Sequence, residues 1–226
     1  MAKRTEAVFV RHGYHHGNLK EALVAAACRL IAERGPAGFP LSEAARLAGV
    51  SVAAPYRHFK DRDALIAEVA RRGFAAFAAR LGTAWGGAEV DPMRGFSRMG
   101  EAYLAFAREE PGFYGAMFAH GGVKRERRHN AGEGAFAALE HAIARVAAAK
   151  QPRAGRIGLH PRVLAYQVWA LSHGIATLSA GALLPSNNPA LRPENLLRAG
   201  VAALIDGADG GKAGTPVKPR REPRSK

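Results

Sequence analysis

Apolar residues recur along this chain at spacings of three and four, and no stretch of strand length alternates polar with apolar residues. A period near 3.6 buries one stripe of a helix, whereas a half-buried strand needs a period of two. The chain is therefore expected to be all-α, and its abundant alanine agrees, since alanine is the strongest helix former. The first stripe is Leu19, Leu23, Ala27 and Leu30, stopped by Glu33-Arg34-Gly35-Pro36, where glycine can end a helix and proline cannot continue one. Leu41 to Ala48 reads as a short helix ending at Gly49, and Ser51 offers an N-cap for another short helix reaching about Phe59. Asp61 or Asp63 can cap a long helix over Asp63 to Leu81, with Ile66, Ala70, Phe74, Phe77 and Leu81 on one face; Gly82 to Pro92 reads as a loop.

A fifth helix is expected from Pro92, carrying Phe96, Met99, Tyr103 and Phe106 and stopping at Glu110-Pro111-Gly112. Phe113 to Phe118 forms a short aromatic helix, Gly121-Gly122 a break, Glu133 to Ala149 another amphipathic helix, and Gln151 to Gly158 a loop. Val163 to Leu184 follows, 22 residues without a formal charge and long enough to span a bilayer. It contains Gln167, Ser172, His173, Thr177 and Ser179, whose cost in lipid favours a buried helix in a soluble bundle. After Pro185 to Pro193 a last helix, Glu194 to Ile205, carries Leu197, Val201 and Leu204. Beyond Gly207 there is almost nothing to bury, and a disordered tail is expected.

A formal charge of +14 and a pI near 10.7 suit a polyanionic partner, nucleic acid or an anionic membrane surface. The excess is dense at the ends: residues 1–80 carry 13 Lys and Arg against 7 Asp and Glu, and residues 207–226 carry 6 against 2. The single cysteine, Cys28, cannot form an intrachain disulfide, and the N-terminus has no apolar signal region, so a reducing cytoplasm is expected. No phosphate loop, HExxH, nucleophile elbow or pair of carboxylates on a buried face is present, which argues against an enzyme. His12, His15 and His16 lack a cysteine or carboxylate at ligand spacing, so neither metal nor cofactor is expected.

Pro40 to Phe59 has the spacing of a helix-turn-helix. Small Ala44 and Ala45 let the two short helices approach, Gly49 can take positive φ at the turn, and Val50 can plug the angle between them. In such a unit the start of the second helix faces base edges and its far end meets phosphates. Tyr56 and His58 supply hydroxyl and imidazole donors for phosphate, Lys60 and Arg62 add charge, and the first amides of the next helix can also meet a phosphate.

The run Ala48-Gly49-Val50-Ser51 followed by Tyr56-Arg57-His58-Phe59 resembles the TetR family of transcriptional regulators. The likeness extends through Gly13 to Leu19 and to Trp169-Ala170-Leu171-Ser172-His173-Gly174, which is similar to the Trp, His-Gly signature of one C-terminal subgroup. The resemblance implies about nine helices, a DNA-binding head, a ligand pocket in the body and a dimer through the last two long helices. It implies Ser51, Val52, Ala53 and Ala54 in the groove and Tyr56, His58, Lys60 and Arg62 on the backbone; Ser42 and Arg57 complete the DNA-facing set. Val52, Ala53 and Ala54 carry no side-chain donors, so readout there is limited to thymine methyls, with shape, Arg57 and the N-terminal arm as further sources of specificity. Pro55 falls in the first turn of its helix, where a missing amide is tolerated.

The expected layout is a basic arm over 1–16, a helix-turn-helix domain over 17–62, a ligand-binding and dimerisation body over 63–206, and a basic tail over 207–226. Lys3, Arg4 and Arg11 of the arm either follow a minor groove or are solvated. An apolar effector pocket is expected among Phe77, Phe96, Met99, Tyr103, Phe113, Met117, Phe118, Trp169 and His173, with Tyr103, His120, Trp169 and His173 as its polar lining. The partners implied are a double-stranded DNA operator, a second copy of the chain and a small apolar effector, with no membrane. The competing reading is a sequence-tolerant basic DNA-binding protein without an effector.

Overall fold

The computed structural model describes residues 19–88, 90–119, 125–149, 160–185 and 187–210, with side chains from 132 onward in the sixth helix and up to 207 in the eighth. The N-terminal arm, His120, the Gly121-Gly122 break, the Gln151 to Gly158 loop and the tail from Ala208 lie outside the described residues or side chains. Eight α-helices and two 3-10 turns are present among the described residues, without a strand. They are α1 (Leu19–Arg34), α2 (Leu41–Leu47), a 3-10 turn (Ala54–Arg57), α3 (Arg62–Trp85), α4 (Pro92–Glu109), α5 (Pro111–Met117), α6 (Arg125–Ala149), α7 (Pro161–Ala180), a second 3-10 turn (Pro189–Leu191) and α8 (Pro193–Gly210). The all-α expectation agrees with this architecture. No helix among the described residues is long and apolar enough to cross a membrane.

The stops and starts follow local chemistry. Gly35 leaves α1 at φ 77°, Gly49 makes the turn after α2 at φ 72°, and Gly86 ends α3 at φ 58°, all in the left-handed region that glycine enters without a Cβ penalty. The Asp61 carboxylate accepts from the Ala64 amide at 2.7 Å and so caps α3. Proline opens α4, α5 and α7, where its missing amide is one of the helix's unpaired donors in any case.

Four elements depart from expectation. The second helix of the helix-turn-helix is a single 3-10 turn, and Ser51 does not cap it. An α-helix capped at Ser51 would close its first bond from the amide of residue 55, which proline lacks; the Ser51 carbonyl instead accepts from Ala54 at 3.0 Å. Next, α3 runs past Gly82 to Trp85, whose indole packs over Gly95 of α4 and against the His141 ring at 6.0 Å. At the other end of the body, α6 begins eight residues before Glu133, at Arg125. Finally, α7 stops at Ala180, because Leu183 and Ala182 donate back to the carbonyls of Leu178 and Ser179 in a Schellman arrangement.

That arrangement places alanine, not glycine, in the left-handed position, with Ala182 at φ 52°. Ala182→Gly is expected to raise the unfolding free energy by about 1 kcal/mol by relieving the Cβ–carbonyl conflict. Urea denaturation followed by circular dichroism measures it, and a loss of stability would overturn the strain argument.

Two hydrophobic clusters share α3 and α5. One gathers Leu23, Leu30, Phe39, Leu41, Phe59, Leu65 and Val69 with Ala116 of α5. The other holds Phe74, Phe77 and Leu81 with Tyr103, Phe106, Met117, Ile143, Leu164 and Val168. Cys28 sits at the edge of the first, and burial pushes its thiol up to about 11, so it stays a protonated packing group at neutral pH. Outside, Glu68 of α3 receives Lys20 at 3.0 Å, Arg71 at 2.8 Å and Arg72 at 3.0 Å, and Arg72 also pairs with Glu21 of α1. The three cations hold the Glu68 carboxyl well below the usual carboxylate range and tie α1 to α3.

Candidate nucleic-acid interface and effector cavity

The turn after α2 exposes a compact set of donors because its apolar members point inward. Pro55 is fully buried and Phe59 is 5% exposed, so residues 56 to 58 are held between two anchors. Tyr56 is 63% exposed, and Arg57 and His58 also face solvent. Val50 packs against the first cluster and fixes the angle to α2. Ser51, Val52 and Ala53 are exposed beside this fan, with Val52 at 52%, while Ala54 and Ser42 are half-buried. Ser51 to Ala53 lead into the 3-10 turn, and Tyr56, Arg57 and His58 follow its buried Pro55 as the solvent-facing residues.

Lys60 and Arg62 are placed differently from the rest of the DNA-facing set. The Lys60 ammonium lies 3.5 Å from Asp61, and the Arg62 guanidinium folds onto Asp63 at 3.2 Å and the Ala37 carbonyl at 3.3 Å. In the first turn of α3 the Ala64 amide is likewise taken, by the Asp61 carboxylate. A phosphate at this edge would therefore compete with carboxylates already in place, whereas at Tyr56 and His58 it would meet exposed side chains.

In the body a cavity of about 370 Å³ opens between α4, α7 and α8, with Leu81 of α3 and Leu139 of α6 at its back. Its floor is apolar and buried: Phe96, Met99, Tyr103, Leu104, Val168, Leu197 and Ile205 are each 5% exposed or less. Its rim carries Ser97, Glu101, Glu194, Arg198 and Asp206. Behind the floor runs a polar chain. The Tyr103 hydroxyl lies 3.3 Å from that of Tyr114, which lies 2.7 Å from His173 Nδ1. Burial pushes the Tyr114 hydroxyl up to about 12 and the Tyr103 hydroxyl higher still, so both remain protonated donors at neutral pH.

Residues 23–69 match the family described as "Bacterial regulatory proteins, tetR family", and residues 96–204 match "Tetracyclin repressor-like, C-terminal domain". The chain belongs to the TetR family. It is a DNA-binding transcriptional regulator. A solved protein of unknown function from Rhodococcus sp. RHA1 is 31% identical, covers 87% of this chain and 98% of its own, and superposes with a TM-score of 0.67. Two further structures share the fold at lower identity. AibR, solved with isovaleryl coenzyme A and operator DNA, is 17% identical, covering 83% of this chain and 98% of its own at a TM-score of 0.59. SmeT, the repressor of the Stenotrophomonas maltophilia multidrug efflux pump SmeDEF, is 19% identical, covering 91% and 97% at 0.60. No curated protein matches the chain.

Among the pocket residues expected from sequence in this TetR family member, Phe96, Met99, Tyr103 and Trp169 line the cavity. Phe77, Phe113, Met117, Phe118 and His173 do not. Phe77 is fully buried between Tyr103, Phe106 and Trp169, and Met117 is buried under α3, so both are core. Phe113 lies within α5 and Phe118 caps its C-terminal end, and His173 faces Tyr114 and Phe118. The wall that sequence reading missed is α8, with Leu197, Arg198, Val201 and Ile205, together with Gly100 of α4 opposite it. The one sequence signal for it is Gly100: a Cβ there would stand 3.1 Å from Leu197, so glycine sets the approach of α4 to α8.

Proposed function

We propose that this regulator is a ligand-responsive repressor, acting in the cytoplasm, that binds a palindromic operator as a homodimer and releases it when a small effector enters the cavity. The observation that carries the reading is the solvent-facing fan of Tyr56, Arg57 and His58 pinned by buried Pro55 and Phe59. In the proposed layout, the head over 17–62 reads DNA and the body over 63–206 senses the effector. Tyr56 and His58 bind phosphates, with Lys60 and Arg62 joining once released from their carboxylates. Val52, Ala53 and Ala54 approach thymine methyls, and Arg57, Ser42 and Ser51 add polar contacts. AibR, solved with both an acyl coenzyme A and operator DNA, supports pairing an effector with an operator on this fold.

The dimer rests on α7. Its outward face, Val163, Tyr166, Gln167, Ala170, Gly174, Thr177 and Leu178, is exposed and carries no formal charge over four turns. Against the outward Ala199, Ala202 and Ala203 of α8, such a face suits a two-fold four-helix bundle. Two heads related by that axis would address half-sites about 34 Å apart. The effector acts by binding the DNA-incompetent spacing better than the competent one. The lever is α3, which supplies Leu65 and Val69 to one cluster and Phe77 and Leu81 to the other.

The test is binding to DNA from upstream of the protein's own gene and to random DNA across a salt series, with a Tyr56→Phe, His58→Ala double variant. Wild type is expected to prefer its own upstream DNA, and the variant to lose about tenfold or more on both fragments. Equal binding to both fragments would favour the sequence-tolerant reading, which the donor-free Val52, Ala53 and Ala54 also support.

A further inference from the structure

Charges over residues 19–72 pair with one another, with two exceptions. The carboxylates there are Glu21, Glu33, Glu43, Asp61, Asp63 and Glu68, and each lies within 3.5 Å of a lysine or arginine. Those pairs engage every cation of the segment except Arg46 and Arg57. Both guanidiniums are exposed, and neither has an ion pair or side-chain hydrogen bond with another residue. In the chain they bracket the turn at Gly49. Arg46 stands in the last turn of α2, where its carbonyl accepts from the Gly49 amide at 3.0 Å, and Arg57 lies between Tyr56 and His58. On α2, Arg46 follows Ser42 by one helical turn, on the side away from buried Leu41, Ala44 and Ala45. Its neighbour Glu43 is held by Arg34 at 2.5 Å.

We propose that these two arginines divide the work on DNA: Arg46 grips an operator phosphate, and Arg57 reads the edge of a guanine. The proposal rests on the DNA interface placed above and goes beyond it by naming a contact on α2 and a base. Lys60 and Arg62 must leave a carboxylate before they meet DNA, whereas Arg46 and Arg57 have none to leave. The first helix of a helix-turn-helix crosses the sugar–phosphate backbone, which brings the outward side of α2 against phosphates. Base readout by hydrogen bond falls to Arg57, because Val52, Ala53 and Ala54 carry no side-chain donor. Only three residues separate Arg57 from Ala54, about 6 Å at the rise of a 3-10 turn, so a side chain as long as arginine's reaches the same base pairs. Its planar fork matches the O6 and N7 acceptors of guanine in the major groove.

The experiment uses the full-length protein with the upstream and random DNA fragments, across a salt series, each fragment also made with 7-deazaguanine, which lacks the N7 acceptor. Arg46→Gln is expected to weaken both fragments alike, by about fivefold, and to lower the salt slope by about one. Arg46→Lys should restore most of that loss, since a phosphate contact needs charge more than a fork, and a variant that merely misfolded would not be rescued in this way. Arg57→Ala is expected to reduce the preference for the upstream fragment about tenfold. Wild type should lose a similar factor on the 7-deazaguanine form of that fragment, and Arg57→Ala nothing further. Unchanged affinity and slope in Arg46→Gln overturns the phosphate contact. A 7-deazaguanine loss that persists in Arg57→Ala, or no such loss in wild type, overturns the guanine contact. If only the Tyr56→Phe, His58→Ala variant loses affinity, the interface stands and the division of work falls; if no variant loses any, both fall.

Discussion

Truncating Phe77 to alanine is expected to lower the unfolding free energy by about 4 kcal/mol. The ring is fully buried, with Tyr103 at 5.0 Å, Phe106 at 5.1 Å and Trp169 at 6.1 Å between centroids. Two of these contacts are close to perpendicular, at 86° each, the edge-to-face geometry that aromatic quadrupoles favour. These neighbours come from α4 and α7, so no single side chain can swing in to fill the hole, and the cavity term adds to the transfer term. Phe77→Leu, which keeps most of the volume, should cost about 1.5 kcal/mol. Urea denaturation by circular dichroism separates the two. A loss under about 1 kcal/mol for the alanine variant would show that the aromatic cluster is not the keystone of the body. Because Tyr103 and Trp169 also line the cavity, Phe77→Ala should weaken effector binding at temperatures where the variant is still folded.

The second large effect is expected at Gly112, where α5 begins. A Cβ there would overlap the carbonyl oxygen of Cys28 and stand 2.8 Å from its carbonyl carbon and 3.0 Å from its Cα. All three are backbone atoms of α1, so nothing flexible can yield and one helix must move as a body. Gly112→Ala is expected to cost about 3 kcal/mol and to lower DNA affinity in the surviving folded fraction, because α1 carries the head. Gly82→Ala makes the contrast: Gly82 lies inside α3 at ordinary φ with nothing within 4 Å of its missing Cβ, so alanine should add up to about 1 kcal/mol. Thermal denaturation of both variants tests the pair. Equal shifts of the same sign would overturn the packing argument.

Which features were legible in the sequence depends on the distance over which they are decided. The turns at Gly35 and Gly49 are settled within a few residues and stand as read, and of the two caps the sequence offers, Asp61 and Asp63, the structure takes Asp61. The recognition segment was misjudged by one hydrogen bond, the one that Pro55 cannot donate to Ser51. The end of α3 was misjudged because Gly82 looks like a stop, while what prolongs the helix is the packing of Trp85 against Gly95 and His141. Aromatic residues announced a cavity but not its walls. Tyr114 and His173 meet across 59 positions, and α8 closes on α4 through Gly100 and Leu197, pairings that no local period encodes. Rim charges such as Glu101 and Arg198 read as ordinary solvated helix residues until the two helices are set beside each other.

The glycine contact between α1 and α5 has a bearing on engineering. Regulators of this fold invite recombination, in which the DNA reader of one is joined to the sensor of another to rewire a genetic circuit. Here the natural seam does not coincide with a point on the chain. Ala116 is 2% exposed inside the cluster that α1 and α2 build, and Phe113 packs against it, so part of the reader's core is encoded some fifty residues into the sensor. A transplant cut in the loop after α3 would import a foreign α5 and would need its own glycine opposite position 28, or the graft would carry a groove that nothing fills. Compatibility between donors should therefore be judged first on that short helix, and only then on the operator.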